Sequence, residues 1–228
     1  ETANDTWTAN CDCVGAAILG CTDDTACNYD ATATDDDGDN LTYSWEQHNL
    51  RSVATFLGSP IGNCPIFRSY PAVANGYRSF PLSSLVVNPA VNTPSWEVMP
   101  DYGRDWNFTL TVRDNDPVAG GMVWEEVAFH SDGASGPFLV TSQASDTVVW
   151  EGGQAVDITW DVANTNMAPV KAGAVDIYFS PNRGITWDIL LAKATLNDGH
   201  ETVFAPNLTS NNARIKIKGT DNIFYNVN

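Results

Sequence analysis

Short runs in which apolar and polar residues alternate recur along the chain, and the 3.6-residue spacing of an amphipathic helix is absent. β-branched and aromatic residues are concentrated in these runs, and turn-forming residues separate them. Because successive side chains of a strand point to opposite faces, such alternation predicts strands with one buried face. We therefore expect an all-β protein of two tandem β-sandwiches. The predicted strands are residues 41–45, 106–112, 121–129, 147–150, 155–161, 175–180, 201–204 and 213–218.

The pattern divides the chain into three regions. A Cys- and Asp-rich segment occupies residues 1–32, the first sandwich residues 33–133 and the second residues 134–228. Small residues and a Pro at 131–137 mark the boundary between the sandwiches. Residues 51–100 are rich in Pro, Asn, Ser and Gly. Because structureless loops of that length are uncommon in compact domains, we expect an ordered insertion over one sandwich face.

Acidic residues dominate the charge of the chain, with 28 acidic against 11 basic side chains and a net charge of −17. Up to Gly133 there are 5 Arg, no Lys and 19 acids, a balance of −14, whereas the remainder has 6 basic and 9 acidic residues, a balance of −3. Proteins that bind nucleic acid neutralise phosphates with clustered Lys and Arg, and no such cluster stands out here. No apolar run reaches the roughly 18 residues that span a bilayer. We therefore expect neither nucleic-acid binding nor membrane insertion.

Cysteines are concentrated near the start of the sequence. Cys11, Cys13, Cys21 and Cys27 fall within 17 residues, and Cys64 follows alone. Such clustering is typical of disulfides that stabilise a core-poor segment in an oxidising compartment. A structural zinc site is the alternative, but the Cys spacing is not that of a zinc finger and no His lies nearby. The pairing of the five thiols stays open.

An Asp-rich loop is the strongest candidate for a metal site. Asp35, Asp37 and Asp39 alternate around Gly38, and seven Asp without a basic residue lie in residues 23–39. Calcium takes about 6 to 8 oxygen ligands of this kind. The alternative is a solvated turn.

A second acidic corner directly follows a predicted strand. It contains Asp114, Asn115 and Asp116. This corner completes the calcium ligands if both loops lie at one end of the first sandwich.

Catalytic motifs are missing from the sequence. There is no His-Glu-x-x-His for a zinc peptidase and no Gly-x-Ser-x-Gly for a serine nucleophile. His48, His130 and His200 are isolated. We therefore predict that this chain is not an enzyme by itself, although a longer parent polypeptide could carry a zinc peptidase domain.

The Trp residues divide into two groups. Trp45, Trp124, Trp150 and Trp160 alternate with polar residues inside or beside predicted strands, so we expect them in the core. Trp96, Trp106 and Trp187 lie near predicted loops and are candidates for an exposed platform that binds carbohydrate.

The sequence contains an ordered series of short motifs. They are ATDDDGDNLTYSWEQ at 33–47, GNCPIFRSY at 62–70, NFTLTVRDN at 107–115, GPFLVT at 136–141, ITWDVA at 158–163, APV at 168–170, VDI at 175–177, NDG at 197–199 and ARIKIK at 213–218. This series, which covers about 190 residues from residue 35 onward, resembles the non-catalytic region between the peptidase and the sorting signal in secreted Bacteroidetes proteins with a reprolysin-like zinc metallopeptidase domain.

Residues 20–30, with the Asp-Asp-Gly that follows them, are similar to a short Cys- and Asp-rich repeat of secreted Bacteroidetes proteins. That repeat ends in a third Cys, which is missing here because the chain continues through Asp39 and Asn40. The resemblance makes Cys64, which replaces a small residue of the family pattern, a substitute for the missing sulfur.

The family resemblance implies immunoglobulin-like or fibronectin-type-III-like sandwiches, type IX secretion with its sorting machinery, and an extracellular or outer-surface location. It does not transfer catalysis, because the peptidase motif is absent. Thr25 and Thr147 lie in tripeptides that resemble Bacteroidetes O-glycosylation sites. The family pattern continues past Phe224 with a further strand, which implies that the second sandwich lacks its last strand and leaves an open edge at residues 223–228.

The sequence thus favours a non-catalytic module of an exported bacterial surface protein, stabilised by structural Ca²⁺ and serving as a spacer, adhesion or assembly region. One alternative is an accessory region that holds a secreted metallopeptidase on a polysaccharide or protein substrate. The other is a subunit of a surface filament that associates with further copies through the open sheet edge.

Overall fold

The computed structural model describes residues 40–50, 60–87, 97–118, 120–145 and 147–228, together with the backbone of two short strands nearer the start, Thr6–Trp7 and Cys13–Val14. The described residues form antiparallel β-sheets and one four-residue helix, so the prediction of an all-β protein is confirmed. In this part of the chain, no helix is long and apolar enough to cross a membrane.

The chain divides into two compact units. The first comprises Glu1–Phe80, Pro94–Met99 and Asp105–His130, and the second Pro81–Thr93, Pro100–Arg104 and Ser131–Asn228.

A three-stranded sheet forms the centre of the first unit. Its strands are β3 (Thr42–Gln47), β4 (Arg104–Arg113) and β5 (Met122–Ser131), in the order β3-β4-β5. The antiparallel pairing of β3 with β4 runs from Thr42 opposite Arg113 to Gln47 opposite Phe108. Nearer the start, β1 (Thr6–Trp7) pairs antiparallel with β2 (Cys13–Val14).

Alternate residues of β4 build the core of the first unit. Trp106, Phe108, Leu110 and Val112 are all buried, as the alternation of the sequence predicts. Trp106 and Phe108 stack with centroids 6.1 Å apart, and the rings of Phe67 and Phe129 lie against the same pair.

Residues 60–80 contact this sheet mostly without forming regular secondary structure. The Gln47 Oε1 atom accepts hydrogen bonds from the backbone N–H groups of Ile66 and Phe67, at 2.7 and 2.9 Å. Tyr43 and Val73 form an isolated antiparallel bridge. Both a side chain and the backbone of β3 thus bind residues 60–80. Such contacts are needed because buried polar groups of an irregular segment still require hydrogen-bond partners.

A buried ion pair fixes the same region. Arg78 Nη2 lies 3.3 Å from Glu97 Oε1, and the two side chains are 9% and 0% exposed. Arg78 also donates to the backbone oxygens of Trp45 and Arg68. Burial lowers the pKa of the Arg78 guanidinium, and the Glu97 charge opposes that shift. The pair therefore joins β3, residues 68–78 and residue 97 through one cation.

We predict that Glu97→Gln destabilises the first unit by about 3 kcal/mol, because removing one partner leaves a buried charge uncompensated. Glu46→Gln is the matched control, since Glu46 is exposed on β3, and it should change stability by less than about 0.5 kcal/mol. Urea unfolding followed by near-ultraviolet circular dichroism measures both values. Equal midpoints for the two variants would contradict the prediction.

The second unit is a two-layer sandwich of seven strands. One sheet has the order β10-β7-β6, and the other has the order β12-β11-β8-β9. The strands are β6 (Leu139–Val140), β7 (Ala155–Asp161), β8 (Ala174–Ser180), β9 (Ile189–Leu196), β10 (His200–Phe204), β11 (Arg214–Gly219) and β12 (Tyr225–Val227). A four-residue helix, α1 (Ser83–Val86), also belongs to this unit.

Both sheets contribute to one core. Ile158 from β7, Ile177 from β8 and Ile217 from β11 are all 0% exposed and belong to one hydrophobic cluster. The buried polar groups nearby have partners: Trp160 Nε1 donates to Asn197 Oδ1 at 2.8 Å, and Asn197 Nδ2 donates to Thr165 Oγ1 at 3.0 Å. A dry apolar layer with satisfied polar groups is the arrangement that stabilises such a sandwich.

In residues 131–228, three strands and one loop differ from the prediction. Residues 147–150 form no strand, whereas β6, β9 and β12 were not predicted. In β9 the pairing with β8 shifts register twice, between Val175 and Ile177 and between Ile177 and Tyr178. A bulge interrupts the two-residue period, so the sequence of β9 carries no clear alternation.

The last strand, β12, pairs antiparallel with β11 from Lys216 opposite Val227 to Lys218 opposite Tyr225. Side chains around it reach the other sheet, because Asn226 Oδ1 accepts from Val140 N at 2.8 Å. β12 is thus an edge strand of its sheet, within residues 223–228, where the family resemblance implied an open edge left by a missing last strand.

We predict that Ile177→Ala destabilises the second unit by about 2–5 kcal/mol, because it leaves a cavity in a fully buried site. Ile185→Ala should cost less than about 0.5 kcal/mol, since Ile185 is 80% exposed. Thermal unfolding of both variants measures the difference. A small effect of Ile177→Ala would show that the core rearranges around the cavity.

Candidate metal centre

The acidic corner of the first unit closes the connection from β4 to β5. Asp114 Oδ1 accepts the N–H of Asp116 at 3.1 Å, and Asp114 Oδ2 accepts the N–H of Gly121 at 2.5 Å. A Cβ atom on Gly121 would lie 2.8 Å from Asp114 Oδ2, so a larger residue here would have to displace this carboxylate oxygen. Asp116 Oδ1 in turn accepts from Val118 N. The two carboxylates are thereby held by the backbone of their own loop.

Asn115 connects this corner to the start of β3. Its backbone has a φ of 63°, in the left-handed region that Asn tolerates. The Asn115 Nδ2 atom donates to the backbone oxygen of Asn40 at 2.6 Å and lies 3.1 Å from Thr42 Oγ1. The acidic corner therefore lies beside the residue that directly follows Asp39.

The remaining predicted ligands, Asp35, Asp37 and Asp39, lie outside the described residues.

The oxygens of the corner fit a hard cation only in part. A carboxylate offers about four lone-pair sites, so the backbone N–H bonds that Asp114 and Asp116 accept leave acceptor capacity. Among the described residues, however, no group of three or more His, Cys, Asp or Glu side chains surrounds a metal position. A complete calcium shell thus requires oxygens from the Asp-rich segment as well.

Trp106 does not form a ligand platform. It is 2% exposed and is stacked in the core of the first unit, so that prediction is wrong. The predicted strand 106–112 began at Trp106, whereas β4 begins two residues earlier at Arg104, so Trp106 lies inside the strand on its buried face. Trp96 lies outside the described residues.

Trp187 is half-buried, and its ring lies 4.8 Å from the Lys216 ammonium. This contact is a cation–π interaction. Trp124 was expected in the core but is 58% exposed, because β5 lies at the edge of its sheet.

The cysteine and glycosylation predictions are untested by the structure. Cys11, Cys21, Cys27 and Thr25 lie outside the described residues, and only the backbone of Cys13 is described. Cys64 is 1% exposed, and its sulfur accepts from Ile61 N at 3.4 Å. Thr147 is exposed and contacts Ser145 through its hydroxyl at 2.8 Å.

Each His lies beside one carboxylate at an exposed position. His130 Nδ1 is 2.7 Å from Asp105 Oδ1, His200 Nε2 is 3.4 Å from Asp157 Oδ1, and His48 Nδ1 is 3.6 Å from Glu126 Oε1. The three contacts share no residue, so they do not converge on one site.

Sequence reading missed a row of cations on β11. Arg214, Lys216 and Lys218 are two residues apart and share one face of the strand. Lys216 Nζ lies 4.8 Å from the Tyr178 ring centroid and 5.8 Å from that of Tyr225. The alternation of basic and apolar residues in ARIKIK could have predicted this row of cations, although no two basic residues are adjacent in the sequence.

Comparison of the sequence with protein-family models, curated proteins and solved structures finds no match to this chain. The resemblance to the Bacteroidetes metallopeptidase-associated region therefore stays a prediction from the motifs.

We predict that Asn115→Gly destabilises the first unit by about 1 kcal/mol, because it removes the side-chain hydrogen bonds to Asn40 and Thr42 while tolerating the positive φ. Asn115→Ala should cost about 1 kcal/mol more, since a Cβ is strained in the left-handed region. Urea unfolding of the two variants measures both steps. If Asn115→Gly matches the wild type, the corner does not depend on this contact.

Proposed function

We propose that this chain is a non-catalytic, calcium-stabilised extracellular β-sandwich module of an exported bacterial surface protein, acting as a spacer, adhesion or assembly region. The observation that carries the proposal is the hydrogen bond from Asn115 Nδ2 to the Asn40 oxygen. It brings the corner with Asp114 and Asp116 to the end of the Asp-rich segment.

Charge provides the physical reason for a cation at this position. The sequence up to Gly133 has a balance of −14, and seven Asp without a basic residue lie in residues 23–39. Carboxylates at this density repel one another unless solvent or a cation screens them. In the proposed site Asp35, Asp37 and Asp39 join Asp114 and Asp116, and Ca²⁺ supplies the positive charge that holds the two loops together.

The strand order of the second unit favours the fibronectin-type-III-like form of the proposal. A sheet of three strands, β10-β7-β6, packs against one of four, β12-β11-β8-β9, over a shared core. In this order the first, second and fifth strands of the unit form one layer, as in sandwiches of that type. The tandem arrangement and the disulfide-stapled N-terminal segment belong to the same proposal.

Differential scanning calorimetry of the whole chain, with excess Ca²⁺ and with EDTA, tests the metal. A ligand that binds only the native state adds about 2.7 kcal/mol of stability at one hundred times its Kd. We therefore expect Ca²⁺ to raise the melting temperature of the first unit and to leave that of the second unchanged. An identical melting profile in Ca²⁺ and EDTA would rule out the metal.

Matched variants locate the site. Asp114→Asn with Asp116→Asn should abolish the Ca²⁺-dependent shift, because the amide oxygens still accept the loop N–H groups but the two charges are lost. The triple change of Asp35, Asp37 and Asp39 to Asn should have the same effect. The control is Asp188→Asn with Asp221→Asn, which removes two exposed charges from the second unit. A control that also loses the shift would point to general charge screening instead.

A further inference from the structure

A cleft of about 900 Å³ opens at one end of the second unit. The connection between β6 and β7, the start of the connection after β8, and the connection between β10 and β11 all line it. Its volume lies in the range of small-ligand sites, so a few residues of a longer ligand can enter. The cleft lies within the second unit and shares no residue with the acidic corner.

One wall of the cleft is aliphatic and solvent-exposed. Val148 is 45% exposed, Val149 is 81% exposed and Leu208 is 40% exposed. Residues 147–150 have the composition of a buried strand, yet they form no strand and line this wall instead. Exposed aliphatic groups gathered at a concave surface are typical of a binding site rather than of isolated surface residues.

Two cations, Arg183 and Arg214, also line the cleft. Arg183 is oriented by Asn212, since Arg183 Nη2 donates to Asn212 Oδ1 at 2.8 Å and Arg183 N donates to Asn212 O at 2.7 Å. Arg214 donates to the Ala213 oxygen through Nη1, while its Nε is buried without a hydrogen-bond partner. No carboxylate of the described residues lies within ion-pair distance of either guanidinium, although the chain has 28 acidic side chains.

Two polar side chains of the lining already have protein partners. Trp150 is half-buried against Phe179, with centroids 5.8 Å apart, and its Nε1 donates to Gln143 Oε1 at 3.1 Å. Asn228 likewise uses its amide oxygen for Ile215 N and its amide nitrogen for Gln143 O. Besides these groups, the lining offers a ligand exposed aliphatic surface and two guanidinium-bearing side chains.

From this arrangement we propose that the cleft binds an extended, acidic peptide segment of a partner protein, with aliphatic side chains packed on Val148, Val149 and Leu208 and a carboxylate held by Arg183 and Arg214. Planar guanidinium groups bind carboxylates through paired, charge-assisted hydrogen bonds. The aliphatic wall gains from burial against matching side chains. Charge complementarity selects an acidic partner, because the two cations of the cleft have no acidic partner among the described residues.

The experiment uses a displayed library of random twelve-residue peptides, selected on the intact chain. We expect the enriched sequences to place Asp or Glu next to Val, Leu or Ile. Fluorescein-labelled synthetic copies are then titrated by fluorescence anisotropy, in Ca²⁺ and in EDTA. Equal affinity in the two buffers separates this site from the calcium site, since the proposed metal lies in the first unit.

Variants test the cationic and the aliphatic residues of the lining separately. Arg183→Gln with Arg214→Gln should weaken binding at least tenfold, because each charge-assisted hydrogen bond contributes substantially to affinity. Val149→Ser should weaken it severalfold without harming the fold, since Val149 is 81% exposed. The matched control is Lys193→Gln, which removes an exposed charge on β9 outside the cleft and should keep wild-type affinity within twofold.

Four outcomes would overturn the proposal. They are a library that enriches no sequence, enriched peptides without acidic residues, unchanged affinity in both the double Arg variant and Val149→Ser, and preferential binding of an oligogalacturonate included as a second probe. The last result would assign the cleft to an anionic polysaccharide. Val149→Ser keeps the test decisive if the double Arg variant does not fold.

Discussion

The first unit depends on hydrogen bonds between its sheet and the irregular segment, residues 60–80, that packs on it. Backbone groups of such a segment have no partners in regular secondary structure, so side chains must bind them. Gln47 accepts from two consecutive backbone N–H groups, and Trp45 Nε1 donates to Gly76 O at 2.7 Å. Arg78 then joins β3, Arg68 and Glu97 in a buried ion pair. Arg78 Nε is buried without a hydrogen-bond partner, so the guanidinium relies on its contacts through Nη1 and Nη2. Because a buried charge that loses its partner is strongly destabilising, this unit depends on the ion pair with Glu97.

The second unit reaches stability by a different route. Its core consists largely of aliphatic residues at alternate positions of β7, β8 and β11, and the network of Trp160, Asn197 and Thr165 satisfies the polar groups beside it. Regular strands satisfy their own backbone, so this sandwich requires fewer side chains for that purpose. Side chains at its end remain available to line a cleft.

Charge separates the two proposed roles of the chain. The acidic excess lies in the sequence up to Gly133, whereas Arg183 and Arg214 lie in a region with a balance of only −3. A cation in the first unit and an acidic peptide in the second would each meet charge of the opposite sign.

The sequence by itself determined the all-β class and the alternate residues that share a face, as in β4, β7, β8 and β11. It also located the acidic corner, because Asp114, Asn115 and Asp116 directly follow a readable strand. Alternation of apolar and polar residues shows which side chains share one face of a strand. It does not show whether that strand lies in the centre or at the edge of its sheet.

Only the tertiary structure decided that Trp106 is buried while Trp124 is exposed. The same holds for the contact of Asn115 with Asn40, which joins residues 75 positions apart. It holds too for residues 147–150, which have the composition of a strand but form none and contribute to the lining of a cleft. In each case the outcome depends on long-range packing, because local preference fixes the conformation of a segment only when no distant contact competes with it.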